Sequence, residues 1–424
     1  MSHMKNLKLK LIIMNFLEFA VWGAYLTSMG TYLLKHGMLE QIGAFYAVQG
    51  IVSLFMPALI GIIADRWMQA QKVMSLCHGI AGFFMLLAAM YAFNTGENVE
   101  FFPLFTLYSI SVAFFMPTIG LANSVAYYTL EKSNLDTVKH FPPIRIFGTI
   151  GFICSMLLID FSGFQATPAQ FLVSGGLSIV LAIYTLTMPS CPTAKKQQSN
   201  NLIDILGLRA FSLFKQKQLA IFFIFSMLLG VALQITNGFA NPFITSFENI
   251  PEFKNTFGVS HANALISLSQ ISETLCILLI PFFLKRFGIK RVMLIAMGAW
   301  VLRFALFGFG NPGSGVWMFI LSMIVYGMAF DFFNISGSLY VDQVSSKETR
   351  SSAQGLFMMM TNGIGATIGT LGAQKVIDLF VDPQSTPIAQ INGWSTSWLI
   401  FATYALVVMI LFAILFKYKH IKEV

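Results

Sequence analysis

The chain has 424 residues, of which 56% are hydrophobic and only 10% charged. Soluble domains carry about 25% charged residues, so a water-soluble core of this length is excluded, and 43 phenylalanines argue the same way. The net charge of +8 does not mark a nucleic-acid binder, because the basic residues sit in short clusters between long apolar runs and form no continuous patch.

A helix needs about 20 apolar residues to cross the hydrocarbon core of a bilayer. Such runs lie at roughly 9–32, 41–64, 73–93, 102–128, 144–162 and 168–188, and again at roughly 219–243, 262–284, 292–310, 315–338, 352–380 and 395–416. They predict an all-α integral membrane protein with twelve transmembrane helices, six on each side of a polar break. The first run is too long for the apolar part of a cleaved signal and stays as a span. The expected organisation is an N-terminal six-helix bundle over 1–188, a cytoplasmic linker over 189–217 and a C-terminal six-helix bundle over 218–424. Within the linker, Leu202–Phe214 reads either as an amphipathic helix at the membrane surface or as a flexible tether.

Loop charge orients the spans. Of the 26 Lys and Arg, Arg145 and Arg303 lie inside apolar runs and only Lys35, Lys254 and Lys375 fall in the odd-to-even loops. All the others sit at the termini, in the even-to-odd loops or in the linker. Positive charge accumulates on the cytoplasmic side, so both termini face the cytoplasm.

Between the second and third runs stands Gly61-Ile62-Ile63-Ala64-Asp65-Arg66-Trp67. Gly allows close helix approach, and Asp65 at a cytoplasmic helix end can pair with basic groups or helix N-termini. Gly61, Asp65 and Arg66 are therefore candidate gating residues. The matching segment of the second half is Pro281-Phe282-Phe283-Leu284-Lys285-Arg286-Phe287-Gly288, where Lys285 stands in place of the acid.

Ionisable groups deep in an apolar run are costly and usually face a cavity or a partner. Five stand out: Glu18, Arg145, Glu273, Arg303 and Asp331. Arg145, Thr149 and Phe152 fall at i, i+4 and i+7, on one helical face. Gln234 and Asn237 are i, i+3, as are Gln270 and Glu273. Tyr326 and Phe330 are i, i+4, with Asp331 next and Asn334 a turn further on. Amides, a carboxylate and a hydroxyl suit a neutral polyhydroxylated ligand, and aromatic faces suit a flat ring. Each stripe alone also fits helix–helix adhesion.

Asp331 lies among Phe330, Phe332 and Phe333. A charged carboxylate there would be poorly solvated and should take up a proton more readily than an exposed acid. It reads as a coupling site, the alternative being a fixed ion pair with Arg145 or Arg303. Arg303 lacks a polar stripe on its own face and reads as structural or as partner to a carboxylate. Cys77, Cys154, Cys191 and Cys276 show no ligand spacing, and His78, His140 and His261 are dispersed, each read as a structural histidine. No phosphate loop or metal-ligand set appears, so no cofactor, metal or enzymatic activity is expected.

The Gly61–Trp67 segment resembles the loop signature of the major facilitator superfamily. That resemblance implies two six-helix bundles around a central cavity, working by alternating access. Within it, the strings Phe141–Phe152, Leu233–Asn237, Ser269–Thr274 and Phe330–Gly337 resemble the bacterial nucleoside:proton symporter family, over nearly the whole chain from Leu7 to Lys419. The resemblance implies proton-driven nucleoside uptake across a bacterial inner membrane, with nucleosides, protons and membrane lipid as partners, no nucleic acid, and a monomer. It also implies that Arg145, Thr149, Phe152, Gln234, Asn237, Gln270, Glu273, Tyr326 and Phe330 bind substrate, with Asp331 as coupling acid. Glu18 departs from the family pattern, which has an amide there. It is a second candidate coupling group, or a partner of Arg145. Competing readings are a sugar or oligosaccharide symporter and, from another class, a non-transporting membrane receptor.

Overall fold

The computed structural model describes residues 2–191, 208–344 and 350–418, and among these there is no β-strand. The first helices are α1 (Ser2–Gly23), α2 (Met29–Lys35), α3 (Ile42–Arg66), α4 (Ala70–Thr95), α5 (Phe101–Lys132), α6 (Thr137–Phe161) and α7 (Ala169–Thr185). After a 3-10 stretch (Leu208–Lys215) come α8 (Lys217–Leu233), α9 (Ile235–Ser246), the short α10 (Phe257–Ser260) and α11 (Ala262–Phe309). Then follow α12 (Val316–Val344), α13 (Arg350–Met358), a π-helical stretch (Met359–Gly365), α14 (Ala366–Phe380) and α15 (Pro387–Leu415).

Each of the twelve apolar runs is helical, but not always as one helix per run. The first is α1, a turn and α2, and the seventh is α8 and α9 meeting at Gln234. Helix α11 carries both the eighth and ninth runs. It breaks at Gly288, whose φ of 74° and ψ of 167° lie where a side chain is not tolerated. The eleventh run is α13 and α14 joined by the π-helical stretch. Of the amphipathic segment expected in the linker, 202–207 lies outside the described residues; the remainder is the 3-10 stretch.

The distribution of apolar side chains identifies the solvent. Among the described residues, eight helical stretches are long and apolar enough to cross a membrane, with Ala262–Phe309 counted as one. The most apolar, α15, has a mean hydropathy of 2.6 yet only 33% of its best window is buried inside the protein. Leu278 on α11 is 73% exposed. Outward-facing leucines and phenylalanines on helix after helix require an apolar surround, in which helices satisfy their backbone polar groups internally.

Contacts divide the chain into two compact units: Met1–Gln41 with Ile51–Leu206, and Ile42–Gly50 with Gly207–Val424. In the first, α1 lies against α6 and α4 against α7. Gly151 makes the former possible, because a Cβ there would drive into the Phe16 carbonyl. Leu11, Met14, Met74, Val125, Ile144 and Leu181 belong to its apolar core. The second unit centres on aromatic rings: Phe243 packs with Phe307, Phe319 and Trp398, and Phe307 stacks on Trp398 with centroids 4.6 Å apart.

Candidate functional site

In the first unit the stripe on α6 turns toward α1. The Arg145 guanidinium lies over the Phe19 ring, 3.9 Å from its centroid, and Phe152 meets Trp22 edge-on at 6.2 Å. Arg145 and Thr149 are half-buried and Phe152 is buried. Gly148 sits at the Arg145–Phe19 contact, and a Cβ there would fall 2.7 Å from the Phe19 ring. Small residues on α6 thus let a cation and an aromatic ring share one face, an arrangement that stabilises a desolvated guanidinium.

Glu18 does not contact Arg145. Its Oε2 is 2.7 Å from His78 Nε2 on α4, and the Thr118 hydroxyl of α5 donates to its Oε1 at 2.6 Å. On the far side of the ring, His78 Nδ1 is 3.1 Å from the Ser178 hydroxyl of α7. Glu18 and His78 are both fully buried. Sequence reasoning set His78 aside as structural. The available signal was its place inside the third apolar run, where it is as anomalous as the five charged residues that were singled out.

The second unit assembles its own polar set. The helix break at Gln234 frees that side chain to accept a hydrogen bond from Asn237 Nδ2 at 2.8 Å. Helices α11 and α12 approach closely at Gly327, where an added Cβ would meet the Ser272 carbonyl and the Cys276 sulfur, and the Ser272 hydroxyl donates to the Ile324 carbonyl. This juxtaposition brings Glu273 of α11 within electrostatic reach of Asp331 of α12. Gln270 and Glu273 are half-buried, whereas Asp331 is 5% exposed and its Oδ2 accepts no hydrogen bond.

The expected alternative, an ion pair of Asp331 with Arg303, is absent here. Arg303 is directed elsewhere: Nη1 donates to the Ser322 carbonyl at 2.7 Å, and the guanidinium lies 4.6 Å from the Tyr326 ring centroid. Tyr326 in turn lies parallel to Phe330, with centroids 5.7 Å apart and planes 5° apart. Beside Phe330 and Asn334 is a void of about 20 Å³, also lined by Trp300 and Thr361, large enough for one water. Of the candidate gating residues, Gly61 lies in α3 with open space where a Cβ would stand, and the side chains of Asp65 and Arg66 are outside the described residues.

Titratable, amide and aromatic side chains sunk into apolar helices, with no strand among the described residues, define a helical multi-pass membrane protein with polar groups placed for transport. The comparisons with known proteins narrow the class. The family model described as nucleoside H+ symporter matches residues 4–421. The nucleoside permease NupG of Escherichia coli K12 is 48% identical over 420 residues, covering 98% of this chain and 97% of the permease. The xanthosine permease of the same organism is 43% identical over 421 residues, covering 99% and 98%. A crystal structure of nucleoside transporter NupG superposes with a TM-score of 0.87 at 47% identity, over 98% of this chain and all of that one. A bacterial homolog of the lysosomal transporter Spinster shares the fold at a TM-score of 0.68 and 14% identity. The chain belongs to the nucleoside H+ symporter family.

Proposed function

We propose that Asp331 is the proton-coupling acid of this transporter and that the polar and aromatic stripes of both units bind the nucleoside. The chain is a multi-pass protein of the bacterial inner membrane that carries out proton-coupled nucleoside uptake, in this reading by alternating access. One observation supports the coupling assignment above the others: Asp331 is buried, its Oδ2 has no hydrogen-bond donor, and its electrostatic neighbour is a second carboxylate, Glu273. A negative charge on that oxygen receives no hydrogen bond and faces a second carboxylate, and taking up a proton removes it.

In this reading the proton enters first, and neutral Asp331 lets the nucleoside approach Glu273. The Gln234, Asn237, Gln270 and Glu273 side chains supply the acceptors and donors that ribose hydroxyls and base edges need. Phe152, Tyr326 and Phe330 offer ring faces to the base, and Arg145 with Thr149 adds donors from α6. Coupling follows if proton and nucleoside both favour the same conformational transition, since only differential affinity shifts a population. The chain would consist of two six-helix halves, 1–188 and 218–424, joined by the linker 189–217. It would work as a monomer in lipid, with the Gly61–Arg66 segment taking part in gating.

The test is uptake of labelled uridine, adenosine and xanthosine into proteoliposomes with and without an imposed proton gradient. The gradient should drive accumulation by the wild-type chain. Asp331→Asn should abolish uphill accumulation while keeping exchange of internal for external nucleoside. An Asp331→Asn variant that still concentrates nucleoside against its gradient removes the assignment.

A further inference from the structure

We propose that Glu18 and His78 hold one proton between them inside the first unit, giving the transporter a second proton-binding centre besides Asp331. The proposal rests on the symport reading for its role in transport, though not for its chemistry.

The chemistry follows from the burial of the pair. Glu18 Oε2 stands 2.7 Å from His78 Nε2, and both side chains are fully buried. Ser178 has one hydroxyl hydrogen and two close neighbours, the His78 carbonyl oxygen at 3.0 Å and His78 Nδ1 at 3.1 Å. If that hydrogen goes to Nδ1, the ring hydrogen of a neutral imidazole sits on Nε2 and faces an ionised carboxylate, which leaves a net negative charge in the core. If it goes to the carbonyl, Nδ1 carries the ring hydrogen, and the contact between Nε2 and Oε2 needs one more proton. That proton makes the pair either a carboxylic acid donating to imidazole or an imidazolium donating to carboxylate. Both descriptions have the same composition and no net charge, the form that full burial favours.

The rest of the site suits a proton that can leave and return. Thr118 likewise has one hydrogen and two acceptors at 2.6 Å, Glu18 Oε1 and the Phe115 carbonyl. Its hydroxyl can turn toward the carboxyl group or away as the charge there changes. Helices α5 and α7 face the pair with the Thr118 and Ser178 hydroxyls, and the Phe115 ring lies 6.0 Å from the imidazole. On α4, Cys77 is within electrostatic reach of Glu18. On α6, Arg145 lies on the ring of Phe19, next to Glu18 in α1. Releasing the proton would leave a net negative charge in the buried core of the unit. Its occupancy should therefore bias the conformation that the unit adopts during transport.

The direct experiment is nitrogen-15 NMR of the full-length, detergent-purified chain labelled at histidine, with the His78 ring assigned by its disappearance in His78→Gln. The expected result is that both ring nitrogens of His78 carry or share a proton at a pH where exposed histidines are neutral. A single bare ring nitrogen, Nδ1 or Nε2, at that pH overturns the proposal. This reading needs no nucleoside and no gradient, so it stands apart from the fate of Asp331. The transport arm compares the pH profile of uridine uptake for the wild-type chain and Glu18→Gln. A shift in the half-maximal pH of about one unit or more, a tenfold change in proton affinity, is expected. Superimposable profiles overturn the transport role. Should Glu18→Gln fail to purify, the NMR result on the wild-type chain decides the matter.

Discussion

The guanidinium of Arg303 lies 4.6 Å from the ring centroid of Tyr326, and that ring lies parallel to Phe330. Arg303 is 2% exposed, with Nη1 on the Ser322 carbonyl at 2.7 Å. A cation without a carboxylate partner is thus holding one aromatic face in place for another. Desolvated cation–π contacts contribute on the order of 1–2 kcal/mol. Arg303→Lys keeps the charge but not the planar fork, and should weaken nucleoside affinity several-fold, up to about thirtyfold, in calorimetric titration. Unchanged affinity in a folded Arg303→Lys chain would show that Tyr326 and Phe330 need no support from below.

Gln234 and Asn237 share a hydrogen bond at 2.8 Å across the helix break. If the pair meets the nucleoside as one unit, Gln234→Ala and Asn237→Ala should each lower affinity, and the double variant should lose less than the sum. A coupling of about 0.5–1.5 kcal/mol is expected for a hydrogen bond of this kind. Strict additivity in the double-mutant cycle argues for two independent contacts.

Thr118 donates to the buried Glu18 carboxyl group. Thr118→Val conserves shape and removes the hydroxyl. Stability should fall by about 1–3 kcal/mol, the usual penalty for leaving a buried polar group short of a partner, read as a lower Tm in detergent. A Tm equal to wild type would mean that the carboxyl group finds another donor.

Gly151 lies where α6 crosses the backbone of α1 at Phe16. Gly151→Ala forces the two helices apart, and overpacking of this kind costs about 1–3 kcal/mol. Because Arg145 and Phe152 occupy the same helix–helix seam, uptake should fall along with Tm. Retained uptake at wild-type Tm would mean the seam is slack.

Gly288 divides α11 with a φ of 74°. Gly288→Ala places a side chain in a backbone region reserved for glycine, at a cost of about 1–3 kcal/mol. Gly61→Ala is the control: open space surrounds the position a Cβ would take, so little change in Tm is expected. Equal effects from the two substitutions would contradict the account of the break.

How much of this was legible beforehand depends on how far apart the interacting residues are in the chain. The stripe Arg145, Thr149 and Phe152 needs only the 3.6-residue period, and the helix α6 carries it as read. The pairing of Gln234 with Asn237 is likewise local. The contact between Glu18 and His78 spans 60 residues, and no periodicity announces it. Arg303 was open to two readings, structural support or carboxylate partner; helix packing against α12 gave it Tyr326 and the Ser322 carbonyl.

The sequence by itself determined the solvent, the apolar runs and the polar positions within them, because transfer into lipid is a property of each segment taken alone. Only the tertiary structure decided the partners. It joined Glu18 to His78, turned Arg303 onto Tyr326 and left Asp331 beside Glu273, because these outcomes depend on which helix faces touch, and close approach is set by small residues on different helices acting together.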